Sequence, residues 1–521
     1  LVLCWMYMRY YLVWVRSQRY RGHEPLTYAY PGDIAGGSVV QVSLQRERVL
    51  GWVERAVDKP DFDTKPIDAV LPIPTLPMAS RQLATWLQQF YATSLGVAAQ
   101  QLLPALLPRK TIESIPALQP TKIAANIPSL TEPQTAVVKK INFGETNIIH
   151  GVTGSGKTRI YIDVAMTTVA AKRSVIILTP EISLTSQLAQ SFRAAFGERV
   201  IILHSQLTAA ARQRIWLTVL RTTEPIVIIG PRSALFSPIH NLGLIVIDES
   251  HEPAYKQEQS PYYHATRVAA QLAKLHSATL LLGSATPAIN DYYLAEQRSK
   301  PIIRLTTRAT ESEHPASTVT VVDLKDRSQF SRSNQLSTPL VQAVQATIQR
   351  GEQALIYLNR RGTARVVLCE NCGWQAVCPH CDLPLVYHAD SGDFRCHTCG
   401  YHEPLRPSCP NCGHPSVVFK SYGTKAVFDE VHKLFPEARI MRFDTDNTAA
   451  ERFEQHYESV KRGNVDILVG TQLLAKGLDL PKLSTLGVLL ADSSLFLPDF
   501  SASERTYQLL TQVLGRVGRG H

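Results

Sequence analysis

Asn147-Ile148-Ile149-His150-Gly151-Val152-Thr153-Gly154-Ser155-Gly156-Lys157-Thr158 is the stretch that decides the fold. An apolar run enters a glycine-rich loop that fits G-x-x-x-x-G-K-[ST], and a helical pattern leaves it. The glycines let backbone N–H groups close around phosphate oxygens, and the helix N-terminus adds the positive end of its dipole. In such a loop Lys157 reaches the β- and γ-phosphates and the Thr158 hydroxyl ligates Mg²⁺. ATP with Mg²⁺ is the expected cofactor.

Working outward, short apolar runs recur at 174–179, 200–204, 226–230, 244–248 and 279–283, separated by helical spacing. Uniformly apolar strands alternating with helices predict a parallel sheet covered on both faces. A second series at 353–358, 439–443, 466–470 and 485–490 predicts a second α/β lobe. In the first lobe, Leu244-Ile-Val-Ile-Asp248-Glu249-Ser250-His251 places two carboxylates at the end of a buried strand, where such sheets bind ligands. Asp248 can hold Mg²⁺ and Glu249 can polarise the attacking water. His251 has two readings, a sensor of the γ-phosphate or the cap of a turn. Downstream, Tyr255, Lys256, Tyr262, Tyr263 and Arg267 interleave aromatics with cations. That mixture is expected to form a single-strand platform, with rings stacking on bases and cations on phosphates. The competing reading packs the tyrosines against the lobe.

Eight of the nine cysteines lie between Cys369 and Cys412, just after the first strand of the second series. They form four Cys-x-x-Cys knuckles: Cys369/Cys372, Cys378/Cys381, Cys396/Cys399 and Cys409/Cys412. Two knuckles complete a tetrahedral Zn²⁺ shell, so four imply two zinc ions. Spacing alone leaves an iron–sulfur cluster open, while paired knuckles favour zinc. Five residues separate the first two knuckles, too few to wrap both around one ion. Fourteen separate the second from the third, close to the ~15–20 of a zinc ribbon. The expected pairing is nested, the middle two knuckles on one ion and the outer two on the other.

The N-terminal hundred residues alternate short apolar runs with Pro-Gly and Gly-Gly turn signals, which predicts a small β-rich domain ending in helical spacing over 81–107. The expected domains are 1–107 (β-rich), 108–129 (a proline-punctuated linker), 130–310 (first lobe), 311–368 (start of the second lobe), 369–412 (zinc insertion) and 413–521 (remainder of the second lobe). The formal net charge of +10 favours an anionic partner, nucleic acid before membrane. No apolar run is long enough to span a bilayer, which argues against an integral membrane protein.

Asp248-Glu249-Ser250-His251 followed by Gly283-Ser284-Ala285-Thr286-Pro287 resembles the motifs of superfamily-two helicases, and so do Thr179-Pro180-Glu181 and Gly230-Pro231-Arg232-Ser233. In the second lobe Gly470-Thr471-Gln472, Lys476-Gly477 and Gln512-Val-Leu-Gly515-Arg516-Val-Gly518-Arg519 match that superfamily's last motifs. The resemblance implies two RecA-like lobes with Arg516 and Arg519 as arginine fingers, Gln134 as an adenine contact and Arg232 as a DNA contact.

Together with the two-zinc insertion, this motif set resembles the replication-restart family, 3′-to-5′ DNA helicases that recognise stalled forks. The resemblance implies an N-terminal domain binding a 3′ DNA end, forked and single-stranded DNA as substrates, and a cytoplasmic, nucleoid-associated location. It also implies single-stranded DNA-binding protein and replicative-helicase loading proteins as partners. Other readings of the same motifs are a duplex translocase and a zinc-dependent fork-binding scaffold that uses ATP as a switch. Where the family commonly has an aspartate in its 3′-end pocket, this sequence reads Leu26-Thr27-Tyr28. Between Pro108 and Thr131 there is no room for the family's winged-helix domain. The sequence stops two residues after Arg519. A fragment lacking the family's C-terminal domain, and unwinding poorly, is expected.

Overall fold

Five strands open the chain: β1 (Met8–Val15), β2 (Leu26–Pro31), β3 (Val39–Leu44), β4 (Glu47–Val57) and β5 (Lys65–Val70). They close into a barrel in the order β1-β2-β5-β3-β4. Alternation along β1 sends Tyr11 and Val13 inward, and Trp14 stacks on Trp52 of β4 with ring centroids 5.2 Å apart. Where those two strands pair, Gly51 is required. A Cβ there would lie 2.5 Å from the Trp14 carbonyl oxygen.

This is a computed structural model, and it describes residues 8–115, 118, 127–180, 182–309, 318–324, 326–333, 335–359, 368–369, 372, 374–383, 385–388, 391–396, 398–404, 406–415, 417–418, 424–443, 459–471, 480–496 and 499–515. The chain divides into two units, Leu1–Thr307 and Arg308–His521.

In the first unit the barrel is followed by α1 (Met78–Phe90), α2 (Leu95–Leu102) and α3 (Arg109–Ser114). The amphipathic α1 buries Leu83, Ala84 and Leu87. The lobe itself comprises α4 (Glu132–Lys139), β6 (Thr146–Gly151), α5 (Lys157–Ala170), β7 (Ser174–Leu178), α6 (Ile182–Phe196), β8 (Val200–Ile202) and α7 (Ala209–Arg221). It continues through β9 (Val227–Gly230), β10 (Leu242–Ile247), α8 (Ala265–His276), β11 (Thr279–Ser284), α9 (Ile289–Gln297) and β12 (Ile302–Leu305). Its seven strands run parallel in the order β12-β6-β11-β10-β7-β9-β8. The crossovers leave the phosphate loop and the Asp248 turn at the same, C-terminal edge of the sheet.

Barrel and lobe share one apolar core. It runs from Tyr11 and Trp52 through Leu83, Leu95 and Ile112 to Ile176, Ile228 and Ile245 on one sheet face. Polar ties reinforce the junction: Trp216 Nε1 donates to the Leu102 carbonyl (2.7 Å), and the His264 N–H donates to the Tyr91 hydroxyl (3.0 Å). The other sheet face has its own core around Ile149, Val164, Phe192 and Val246. The start of the segment expected as linker is helix α3, whose Ile112 is buried in the shared core.

The second unit contains α10 (Thr338–Gln349), β13 (Gln353–Leu358) and the short cysteine-region strands β14 (Leu368–Cys369), β15 (Val386–His388), β16 (Asp393–Arg395), β17 (His402–Pro404) and β18 (Val417–Val418). After these come α11 (Thr424–Leu434), β19 (Ile440–Phe443), β20 (Ile467–Gly470), β21 (Leu483–Leu489) and α12 (Ala502–Leu514). The parallel sheet has the order β19-β20-β13-β21, with an apolar core on each face. Among the described residues no helix is long and apolar enough to cross a membrane.

Candidate active site and metal centres

Strand β6 stops at Gly151, and the chain turns through Gly154 and Gly156, both at φ +76°. Side chains rarely adopt that left-handed backbone, so the loop needs glycine at both positions. Gly156 hands directly to Lys157, the first residue of α5. The Lys157 ammonium folds over the loop and donates to the Gly151 carbonyl at 2.9 Å. Ser155 Oγ is buried with no hydrogen-bond partner. The Val152 N–H donates to the Leu305 carbonyl of β12, pinning the start of the loop. These groups suit a nucleotide's phosphates: an orphan hydroxyl, an ammonium within the loop and a backbone opened by two left-handed glycines. Thr153 and Thr158 are half-buried beside them. Gln134 forms a capping box with Thr131 at the start of α4, and its Nε2 donates to the Ser155 carbonyl at 3.3 Å.

Asp248 follows β10 and is held from two sides. The Tyr161 hydroxyl of α5 donates to Asp248 Oδ1 at 3.1 Å. The Tyr255 hydroxyl lies 2.6 Å from the Asp248 carbonyl oxygen and 3.1 Å from that of Leu178. Burial, then the neighbouring Glu249 charge, pushes the Asp248 carboxyl up to about 7, against the pull of Lys157. A bound divalent cation would reverse that shift. Glu249 sits at φ +45°, and its Oε2 makes no hydrogen bond, lying 3.7 Å from His251 Nδ1. His251 Nδ1 is 2.7 Å from Ser284 Oγ, which accepts the Thr286 N–H at 2.9 Å. The Ser250 N–H donates to the Gly283 carbonyl. The turn after β10 is thus laced to the end of β11.

The expected DNA platform divides. Lys256, Tyr262 and Arg267 are exposed. Tyr255 and Tyr263 are not, at 1% and 2% exposure, and this corrects the sequence expectation for both. Tyr263 packs edge-to-face on Phe236 at 5.2 Å, and burial pushes its phenol up to about 12. The Tyr263 N–H donates to the Pro261 carbonyl at 2.7 Å, a tight turn centred on Tyr262 that leaves Tyr262 outward and Tyr263 inward. A ring enclosed on both faces has none left for a base. Arg232 is half-buried, with Nε donating to Gln257 Oε1 (2.7 Å) and Nη1 to the Ala254 carbonyl (2.6 Å). It braces the loop that carries Lys256. Glu181, Gln472, Lys476, Gly477, Arg516, Gly518 and Arg519 lie outside the described residues. In the barrel Thr27 is half-buried on β2, and the buried Tyr28 donates to the Ser43 carbonyl. Sequence reasoning missed Tyr161, although it lies one helical turn after Lys157 and therefore on the same face of α5.

The cysteines meet in two groups, Cys369/Cys372/Cys409/Cys412 and Cys378/Cys381/Cys396/Cys399, with the four sulfurs of each within 4.8 Å of one another. Nearest Sγ–Sγ separations are 3.6 Å in the first and 3.3 to 3.7 Å in the second. A tetrahedron of ~2.3 Å Zn–S bonds has edges of about 3.8 Å, while a disulfide needs about 2.05 Å. The donor sets fit zinc, in the nested arrangement. Each described knuckle closes on a left-handed residue four places after its first cysteine: Asp382 (φ +53°), Gly400 (+77°) and Gly413 (+70°), whose N–H donates to that cysteine's carbonyl. The Asn411 N–H and Nδ2 donate to Cys409 Sγ and Cys372 Sγ at 3.4 and 3.5 Å. The inner group rests on the three-stranded β15-β16-β17 sheet, with Phe394 and Leu385 buried beside it.

Comparison with known proteins agrees region by region. The 3′DNA-binding domain of PriA matches residues 14–104, and the DEAD/DEAH box helicase family matches 131–293. The PriA DNA helicase Cys-rich region matches 378–404, and the helicase conserved C-terminal domain matches 409–521. The replication restart protein PriA of Rickettsia prowazekii is 33% identical over 95% of this chain and 77% of its own length. The chain belongs to the PriA family. PriA of Bacillus subtilis is 41% identical over 71% of this chain and 46% of its own length. PriA of Treponema pallidum is 35% identical over 84% of this chain and 65% of its own. The chain spans about half to two-thirds of the length of these last two PriA relatives. Membership brings zinc to the cysteine groups and a nucleotide to the first lobe of this PriA-family chain.

Proposed function

We propose that this chain is an ATP-dependent 3′-to-5′ DNA helicase that recognises stalled or collapsed replication forks and initiates restart by primosome assembly. The observation that carries the reading is the convergence of Lys157, Asp248 and Glu249 at one sheet edge, in a chain of the PriA family. Bound Mg²⁺ would neutralise charge on the β- and γ-phosphates. Thr158 and Asp248 would hold it. Lys157 would leave the Gly151 carbonyl for phosphate oxygens, and the loop N–H groups with Ser155 Oγ would surround them. Gln134 would contact adenine, its bond to Ser155 tying base recognition to the loop. Glu249, without a hydrogen bond at Oε2, would accept a proton from the attacking water. Arg516 and Arg519 would complete the charge compensation. The link from His251 to Ser284 and Thr286 supports a role for His251 in relaying hydrolysis to the DNA-binding loops.

The 3′ DNA end would bind to the N-terminal β-domain. Tyr262, Lys256, Arg267 and Arg232 would meet the single strand, two Zn²⁺ would order residues 369–412, and the protein would act in the cytoplasm at the nucleoid. Single-stranded DNA-binding protein and helicase-loading proteins would be its partners. The test is strand displacement from a fork with a 3′ or a 5′ single-stranded tail, with and without ATP. Displacement that needs ATP and the 3′ tail, lost in Glu249→Gln while fork binding persists, is expected. Fork binding with no ATP-dependent displacement would instead favour a scaffold.

A further inference from the structure

Lys157 and Tyr161 occupy successive turns of α5, so one rigid helix carries both the phosphate-directed ammonium and the hydroxyl that meets Asp248. Tyr161 is fully enclosed. Its hydroxyl is wedged between Asp248 Oδ1 at 3.1 Å and the backbone of Gly283, where an added Cβ would come 1.7 Å from the phenol oxygen and 2.7 Å from Cζ. An alanine at 283 would therefore evict the hydroxyl from its place. A second enclosed ring, Tyr255, holds the main chain of the same aspartate. A half-buried carboxylate holds one orientation where an enclosed donor meets it.

We propose that Tyr161 is a positioning residue that orients the Asp248 carboxylate toward the catalytic cation, and that residue 283 is glycine to leave room for the Tyr161 hydroxyl. The inference rests on the ATP-site reading above and adds to it how α5 and β11 set the metal ligand.

The experiment uses a fluorescent mant-ADP titration of the whole chain, with Mg²⁺ and in EDTA, alongside steady-state ATP hydrolysis. For Tyr161→Phe, affinity in EDTA stays within about twofold of wild type, while the gain in affinity on adding Mg²⁺ shrinks several-fold. Its kcat falls roughly tenfold, equivalent to about 1.4 kcal/mol, with KM for ATP little changed. Gly283→Ala reproduces both effects, and the double variant is no worse than the poorer single variant, because both changes remove the same bond. An unchanged Mg²⁺ gain and kcat in Tyr161→Phe, or strictly additive losses in the double variant, overturn the inference. If wild-type protein neither binds mant-ADP nor hydrolyses ATP, the ATP-site reading fails and takes this one with it. If only the variants' behaviour departs from expectation, that reading stands.

Discussion

Asp248 and His276 show how burial sets charge in the first lobe, with opposite signs. Burial, then Arg173 and His240, lowers His276 at the end of α8 to about 4, and His264 falls to about 4 through burial, Lys256 and Arg267. Above pH 6.5 each is neutral whether folded or unfolded and contributes no pH dependence. Between 6.5 and 4 the unfolded chain takes up the proton and the native one does not, so stability is lost as pH falls. Asp248, raised to about 7, works the other way, since the native state then binds its proton first. Replacing one histidine isolates its share. The melting midpoint is expected to fall between pH 7 and 5, and His276→Gln should reduce that fall by roughly 2–4 °C. Identical pH profiles for the two proteins in thermal melts would count against it. At this scale the meeting of Lys157, Asp248 and Glu249 at one sheet edge was legible, because each belongs to a contiguous motif at the end of an apolar strand. Tyr161 and Gly283 were not, because their meeting depends on how α5 packs against β11.

The elements were read well where periodicity was strong. All six apolar runs of the first lobe correspond to strands, β6 to β11, whereas β12 was missed. It has four residues and carries the exposed Arg304, so its hydrophobic signal is short. The loop between β10 and α8 shows the opposite failure, since composition alone cannot tell an outward tyrosine from an inward one. Tyr263→Ala should destabilise the first unit by ~3–5 kcal/mol, the range for deleting a buried aromatic ring. Tyr262→Ala should leave melting unchanged and weaken single-strand affinity several-fold. Denaturation and DNA titration of both variants check this, and reversed outcomes would reassign the rings. For the cysteines, spacing did foretell the nested groups, because a five-residue gap restricts which knuckles can share an ion. Metal analysis should find two zinc ions per chain, and the Cys378→Ser/Cys396→Ser double variant should keep one. Loss of both ions would mean that those two cysteines serve different sites.

At the scale of the whole chain, the barrel and first lobe behave as one body because Leu83, Leu95, Leu102 and Ile112 continue the barrel's core onto the lobe's sheet. A sequence reading that divides the chain at its prolines does not see this, because the continuity lies in side chains distant in sequence. The bond from the His264 N–H to the Tyr91 hydroxyl ties the helix after the barrel to the loop that carries Tyr262, so a DNA end bound as proposed would be fixed with respect to that loop. The excess of basic residues suits a protein that tracks a phosphate backbone, and its DNA-dependent activities should weaken as salt rises. The central claim is that DNA engagement drives ATP turnover at the Lys157 site. The most direct test is the rate of ATP hydrolysis by the whole chain with and without single-stranded DNA, in wild type and Lys157→Ala. The account predicts at least a severalfold rise on adding DNA and none in the variant. A rate indifferent to DNA, or one that survives in Lys157→Ala, would contradict it.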